Sequence, residues 1–249
     1  MALHDFQIAL GRLVRARQAD GPAGQIVARL ALDGGEREAF ARLQEGRGLA
    51  FTREVQRSWC KGRARNAAYL TLSLLEEEER QRLLDEWVEA GGGIASFFAG
   101  EAVAFLDFLA LHLHDKAHAL SICRMEQAVH RAGTAEADWP DAAEELRGAT
   151  MLMRASCASL VQFHAEPDVL LRAVQSETPL PPIRPEPVAF LFGPELAGLF
   201  ERADGAEAAL WARLARTASL DELLHEGHAL EVIERLISLG IVHPFAAET

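Results

Sequence analysis

Apolar positions recur at helical spacing through most of the first 148 residues, then give way to shorter extended runs. Residues 3–18 place Phe6, Ala9, Leu10, Leu13 and Val14 on one side, with Arg12, Arg15 and Arg17 mostly elsewhere. This pattern predicts an amphipathic helix, stopped by Asp20-Gly21-Pro22. Residues 23–33 show no clear period, Glu36–Glu45 returns to helix, and Gly46 and Gly48 mark a break. Residues 51–75 continue in helical spacing. Glu76–Ala90 predicts a charged helix with Leu83, Leu84, Trp87 and Val88 inward, ended by Gly91-Gly92-Gly93. Residues 94–113 are apolar nearly all round, apart from Glu101 and Asp107, and predict the central helix of a bundle. Thr134–Trp139 reads as a turn and Pro140–Arg147 as a short acidic helix.

After Gly148 the run Met151, Met153, Cys157, Leu160, Val161, Phe163 is extended in character, and Leu170–Val174 fits either a strand or a short helix. Thr178–Pro187 is proline-rich, a stiff connector that can be neither helix nor central strand. Pro187–Gly193 predicts a short apolar strand on which Leu196–Arg202 can pair back. Helical patterns follow at 206–215, 220–226 with Ser219 as N-cap, and 229–239. Gly240 ends the last of these, Ile241-Val242 can be extended, and Pro244 forbids continuation. The fold class expected is therefore α+β: an N-terminal helical bundle over 1–148, then a winged-helix-like domain over 149–249.

At 249 residues and 49% hydrophobic, the chain can bury a large core, and no window approaches the ~18 apolar residues of a membrane helix. The N-terminus has no basic segment leading into an apolar run, so no secretion signal is read there. Cys60, Cys123 and Cys157 are odd in number and form no CxxC pair, which suits a reducing cytoplasm. A net charge of −12 weighs against a nucleic-acid reader. The candidate recognition helix 229–239 sharpens this: Glu231 and Glu234 outnumber Arg235, and Asp221, Glu222 and Glu226 precede them. An apolar strand edge beside a helix bearing Leu210, Trp211 and Leu214 instead suits an extended peptide added as a strand. Leu196, Leu199, Phe200, Arg202, Trp211 and Leu214 are the candidate peptide contacts, though periodic apolar residues of this kind also fill cores.

Two clusters invite chemistry. Arg53, Arg57, Lys61 and Arg65 recur every four residues as a slowly drifting helical stripe, with Arg63 nearby. Like charges on one row repel unless something anionic faces them. They are either a solvated face paired with acids such as Glu54 or Glu76–Glu79, or a surface that takes carboxylates or a partner. His112, His114, His118, Cys123, Glu126 and His130 resemble a metal set, but on a straight helix at ~100° per residue 114 and 118 diverge from 123, 126 and 130. The axial gap from His114 to His130 would be roughly 24 Å at ~1.5 Å per residue; a break at Asp115 could fold the pairs together, but polar interface residues or satisfied core histidines fit better and no metal is expected in this chain. His114 and His118 join the basic stripe as candidate partner or carboxylate contacts.

The strings His118-Ala-Leu-Ser-Ile-Cys-Arg-Met-Glu-Gln-Ala128 and Arg57-Ser-Trp-Cys-Lys-Gly-Arg-Ala64 resemble the partner subunits of multinuclear non-haem iron oxidases, such as those of methanobactin and 3-thiaglutamate biosynthesis. Ala208-Ala-Leu-Trp211, Ser219-Leu-Asp-Glu-Leu223 and Val232–Ile241 are similar to the precursor-recognition element of ribosomal-peptide tailoring enzymes. The resemblance implies a non-catalytic subunit with no cofactor of its own and with no catalytic residue. It would pair as a heterodimer with a TIM-barrel subunit that holds the iron, bind the leader of a precursor peptide and present its cysteine for oxidation. With the cysteine usage, the net charge and the lack of a long apolar window, the expectation is a cytoplasmic complex with neither nucleic acid nor membrane as partner. A thioamide/oxazolone pair and excision of a cysteine carbon are both products within the family. The alternative class is a winged-helix transcription regulator with a helical sensor domain, and a third is a self-sufficient metalloenzyme built on 114–130. The proline connector has no counterpart in the family pattern.

Overall fold

The structure is a computed structural model that describes residues 33–93, 99–132 and 145–246, with residues 7, 10, 11, 13 and 14 of the first helix. The readings of 20–32, of 94–98, of the turn at 134–139 and of most of the acidic helix at 140–147 lie outside the described residues. The protein is α+β, with two three-stranded antiparallel sheets in its C-terminal part. Among the described residues no helix is long and apolar enough to cross a membrane.

Contacts divide the chain into two units, Met1–Ala67 with Glu76–Phe105, and Ala68–Leu75 with Leu106–Thr249. The first is helical. Helix α1 (Gly34–Glu45) opens on a reciprocal cap in which Asp33 accepts from the Glu36 N–H and Glu36 accepts from the Asp33 N–H. Helix α2 (Arg47–Ala67) buries Leu49, Cys60 and Ala64 and packs against α1 and helix α4 (Glu77–Glu89). Leu83, Leu84 and Val88 of α4 are buried as their spacing predicts, and the Trp87 ring lies 5.3 Å from that of Phe105. Gly92 lies so close under Trp87 that a Cβ there would come within 2.0 Å of the ring.

The helix expected over 51–75 is interrupted at Ala68, and a separate short helix α3 (Tyr69–Ser73) belongs to the second unit. Helix α5 (Ala99–His112) is followed by a turn and then α6 (Ala117–Ala132), so the continuous helix assumed for His114–His130 does not exist. Strands β1 (Met151–Arg154) and β2 (Ser159–Phe163) occupy the extended run, and Leu170–Val174 resolves as helix α7 (Pro167–Gln175). After the irregular connector come β3 (Val188–Phe192), β4 (Glu201–Arg202), α8 (Gly205–Arg213), β5 (Ala218–Ser219), α9 (Leu220–His225), α10 (Leu230–Ser238) and β6 (Val242–Phe245). Ser219 caps α9 as expected, accepting from the Glu222 N–H, and Gly240 takes φ +65° beyond the end of α10.

The two sheets have orders β5-β1-β6 and β2-β3-β4. The first lies over a core of Leu152, Leu210, Leu214, Leu223, Ile233, Leu236 and Val242, which draws on α8, α9 and α10. The second packs on α6 and α7 through Ile122, Met125, Phe163, Leu170, Phe190 and Phe192. Contacts therefore do not divide at residue 148: α6 sits with the β2-β3-β4 sheet because its buried face, Ile122, Met125 and Ala128, is covered by that sheet's side chains.

Candidate functional site

Strand β4 lies at the edge of its sheet, paired only with β3, with Phe190 opposite Arg202 and Leu191 opposite Glu201. In the same register the Ala203 N–H donates to the Ala189 carbonyl at 3.0 Å. Hydrogen-bonded and non-hydrogen-bonded positions alternate along an antiparallel pair. Glu201 and Ala203 therefore turn their backbone groups inward, while Arg202 turns its N–H and C=O toward the open edge. The Arg202 side chain is exposed and has no partner among the described residues. An open groove of about 570 Å³ runs beside it, lined by Val188, Ala189, Ala203, Asp204 and Ala208.

The strand is shorter than expected, since Leu196 is irregular and 197–199 form a bend before it. Leu199 is 55% exposed and Leu196 half-buried. Phe200 is half-buried and joins an aromatic cluster, 5.4 Å and edge-on to Phe190 and 5.5 Å from Phe192. Leu214 is 3% exposed, a core residue. Trp211 packs against the same core and lies beneath Arg154, whose guanidinium sits 4.6 Å from the ring centroid. Arg154 also donates to the carbonyls of Trp211 and Ala212 at 2.7 and 3.2 Å, reinforcing the C-terminal end of α8, where the Ala212 carbonyl also accepts from the Ala215 N–H. Burial lowers the pKa of this guanidinium. The structure thus leaves Leu199 and Arg202 exposed at and just before β4, folds Phe200 into the aromatic cluster, and assigns Trp211 and Leu214 to the core under the β5-β1-β6 sheet.

A network that the sequence reading missed holds this edge. Arg235 of α10 donates to Glu207 at 2.7 Å and to Glu201 of β4 at 2.6 Å. Glu207, 3% exposed, also closes the reciprocal cap of α8 with Asp204. The Glu201 bond is the larger cause that raises the Arg235 pKa. The Asp204-x-x-Glu207 spacing is a capping-box signal that was available in the sequence. The pairing with Arg235, 28 residues away, was not.

The basic stripe is answered from inside its own unit. Arg53 donates to the Leu13 carbonyl at 2.9 and 2.7 Å, Arg57 pairs with Glu89, and Lys61 pairs with Asp85 at 2.5 Å. These acids lie on α4 and are not Glu54 or Glu76–Glu79. Arg63 binds the buried Glu101 at 3.0 Å, and that bond is the main cause that raises the Arg63 pKa. Arg65 is exposed without a partner among the described residues. Elsewhere on α2, Phe51 and Trp59 are 70% and 65% exposed.

The histidines do not converge. His114 lies on the exposed turn between α5 and α6, whereas His118 is 7% exposed and its Nε2–H donates to the Pro181 carbonyl at 2.8 Å. That bond ties the proline connector to α6 and removes His118 from the surface. Glu126 accepts from the N–H groups of Leu70 and Thr71 and from the Thr71 hydroxyl at 2.6–3.0 Å, so it acts as a remote cap for α3. Desolvation raises its pKa against these bonds. Burial likewise pushes the Cys123 thiol up to about 12, which makes it an inert core residue. Among the described residues no three His, Cys, Asp or Glu side chains are grouped to hold a metal ion. No protein-family model matches the chain, and no curated protein matches it.

Proposed function

We propose that this chain is the peptide-binding, non-catalytic subunit of an iron-dependent oxidase complex that modifies cysteine in a ribosomally made precursor. The observation that carries the reading is the open outer edge of β4, where the Arg202 backbone faces outward beside the exposed Leu199. Such an edge accepts an extended peptide as a further strand, with backbone bonds for affinity and adjacent side chains for selectivity. The Arg235 bridge supports it by holding β4 against α10 before any peptide arrives, so little ordering is left to be done on binding.

The order α8-β5-α9-α10-β6, with β1 completing the sheet between β5 and β6, is compatible with a winged-helix-like module. A transcription regulator built on it would present α10 to DNA. The one cation of α10, Arg235, is already spent on Glu201 and Glu207, so that helix has no free charge for phosphate. The iron-bearing partner would dock on α2, where Arg65 and the exposed Phe51 and Trp59 remain after the other cations are paired.

The test is amide exchange on the full chain with and without a cysteine-containing precursor peptide drawn from the neighbouring reading frames. Slowed exchange at the Arg202 amide is the expected result. Unchanged exchange there, or tight binding to duplex DNA at moderate salt, would sink the proposal.

A further inference from the structure

Resting on the strand-addition reading, we propose that the bound peptide carries an aspartate or glutamate at the residue paired with Arg202. Only Arg202 in β4 turns both backbone groups outward, so the added strand must register on it. The peptide residue that exchanges both bonds with Arg202 has its Cα about 5.5 Å away. Its side chain then stands on the same face of the sheet as the guanidinium, where opposite charges stabilise and like charges destabilise the pair.

The guanidinium is not neutralised by its surroundings. The other cation of the groove, Arg184, is tied to Glu166 at 2.6 Å. Asp204 is spent on the Glu207 N–H at 2.8 Å. Glu186 is exposed and also lines the groove, on the bend that precedes β3 and without an ion pair to Arg202. Among the described residues the Arg202 guanidinium is thus left without an ion-pair partner, on a chain whose net charge is −12. An acidic peptide is repelled elsewhere and accepted here, so charge sets the register of binding as well as its strength.

The experiment uses the full chain and two synthetic peptides of alternating threonine and valine that differ only at the central residue, glutamate or lysine. Binding is read by fluorescence anisotropy at low salt and the site by exchange at the Arg202 amide. The glutamate peptide should slow that exchange and bind at least about tenfold more tightly, as expected for a directly opposed charge pair. Arg202→Glu should invert the preference. If both peptides protect the Arg202 amide and bind alike, the acidic specificity is wrong and strand addition stands. If neither peptide alters exchange at Arg202, strand addition itself fails and this inference falls with it.

Discussion

Two sets of arginines in this protein behave in opposite ways. On α2 three of the four cations of a regular row, conspicuous in the sequence, are closed off by a backbone carbonyl and by Asp85 and Glu89, and Arg65 at its end is not. On β4 a single arginine with no surrounding pattern faces outward unpaired, at a strand edge whose backbone is also open. Periodicity tells which charges share a helix face. It does not tell which of them a neighbouring element has already neutralised. Availability is a tertiary property, and here it reverses the ranking that charge density suggests.

The largest effect that would sharpen this contrast is at Glu207. Glu207→Ala leaves Arg235 with Glu201 alone and removes the half of the α8 cap in which the buried Glu207 carboxylate accepts the Asp204 N–H, and should cost about 3 kcal/mol in urea denaturation. It should also weaken peptide binding, because β4 loses the far end of its brace. A cost below ~1 kcal/mol would mean that the bridge is an idle surface pair.

Trp211→Ala comes next. The half-buried ring supports the core and carries Arg154, so a loss of about 2–3 kcal/mol is expected from its packing. If Trp211 is core and not pocket, a folded Trp211→Ala protein retains peptide binding within a few-fold. Complete loss of binding with unchanged stability would return Trp211 to the site.

Glu126 provides a pH test that separates an internally spent charge from an open one. Its folded pKa is raised, chiefly by desolvation, above the ordinary 4.5. The folded state then holds the proton more tightly than the unfolded chain across that window. Its contribution to stability is full below about 4.5 and is lost as pH rises through the folded value. Glu126→Gln mimics the protonated acid and should flatten this decline in urea midpoints taken from pH 4.5 to 7. Parallel curves for the two proteins would refute it.

The smallest effects are the most direct comparison. Arg57→Ala breaks a half-exposed ion pair and should cost about 0.5–1 kcal/mol, with no effect on the peptide. Arg202→Ala should change stability by less than ~0.5 kcal/mol and yet weaken capture of an acidic peptide. If Arg57→Ala impairs capture and Arg202→Ala does not, the roles assigned to the two regions are exchanged.

Local pattern by itself determined much of this protein. The inward face of α4, the Ser219 cap, the short strand at 188–192, the irregular proline connector and the stop at Gly240 are all set by neighbours within a few residues. Each depends on periodicity, dihedral preference or a missing N–H, and these act locally. Only the tertiary structure decided the break between α5 and α6, the membership of α6 with the β2-β3-β4 sheet, and the pairing of β1 with strands more than sixty residues away. The same holds for the partners of the charges. Glu126 reaches α3 across 55 residues and Arg235 reaches Glu201 across 34, and an ionic side chain accepts any opposite charge that packing brings near. Which carboxylate arrives, and which arginine is left for a peptide, depends on how apolar faces were buried.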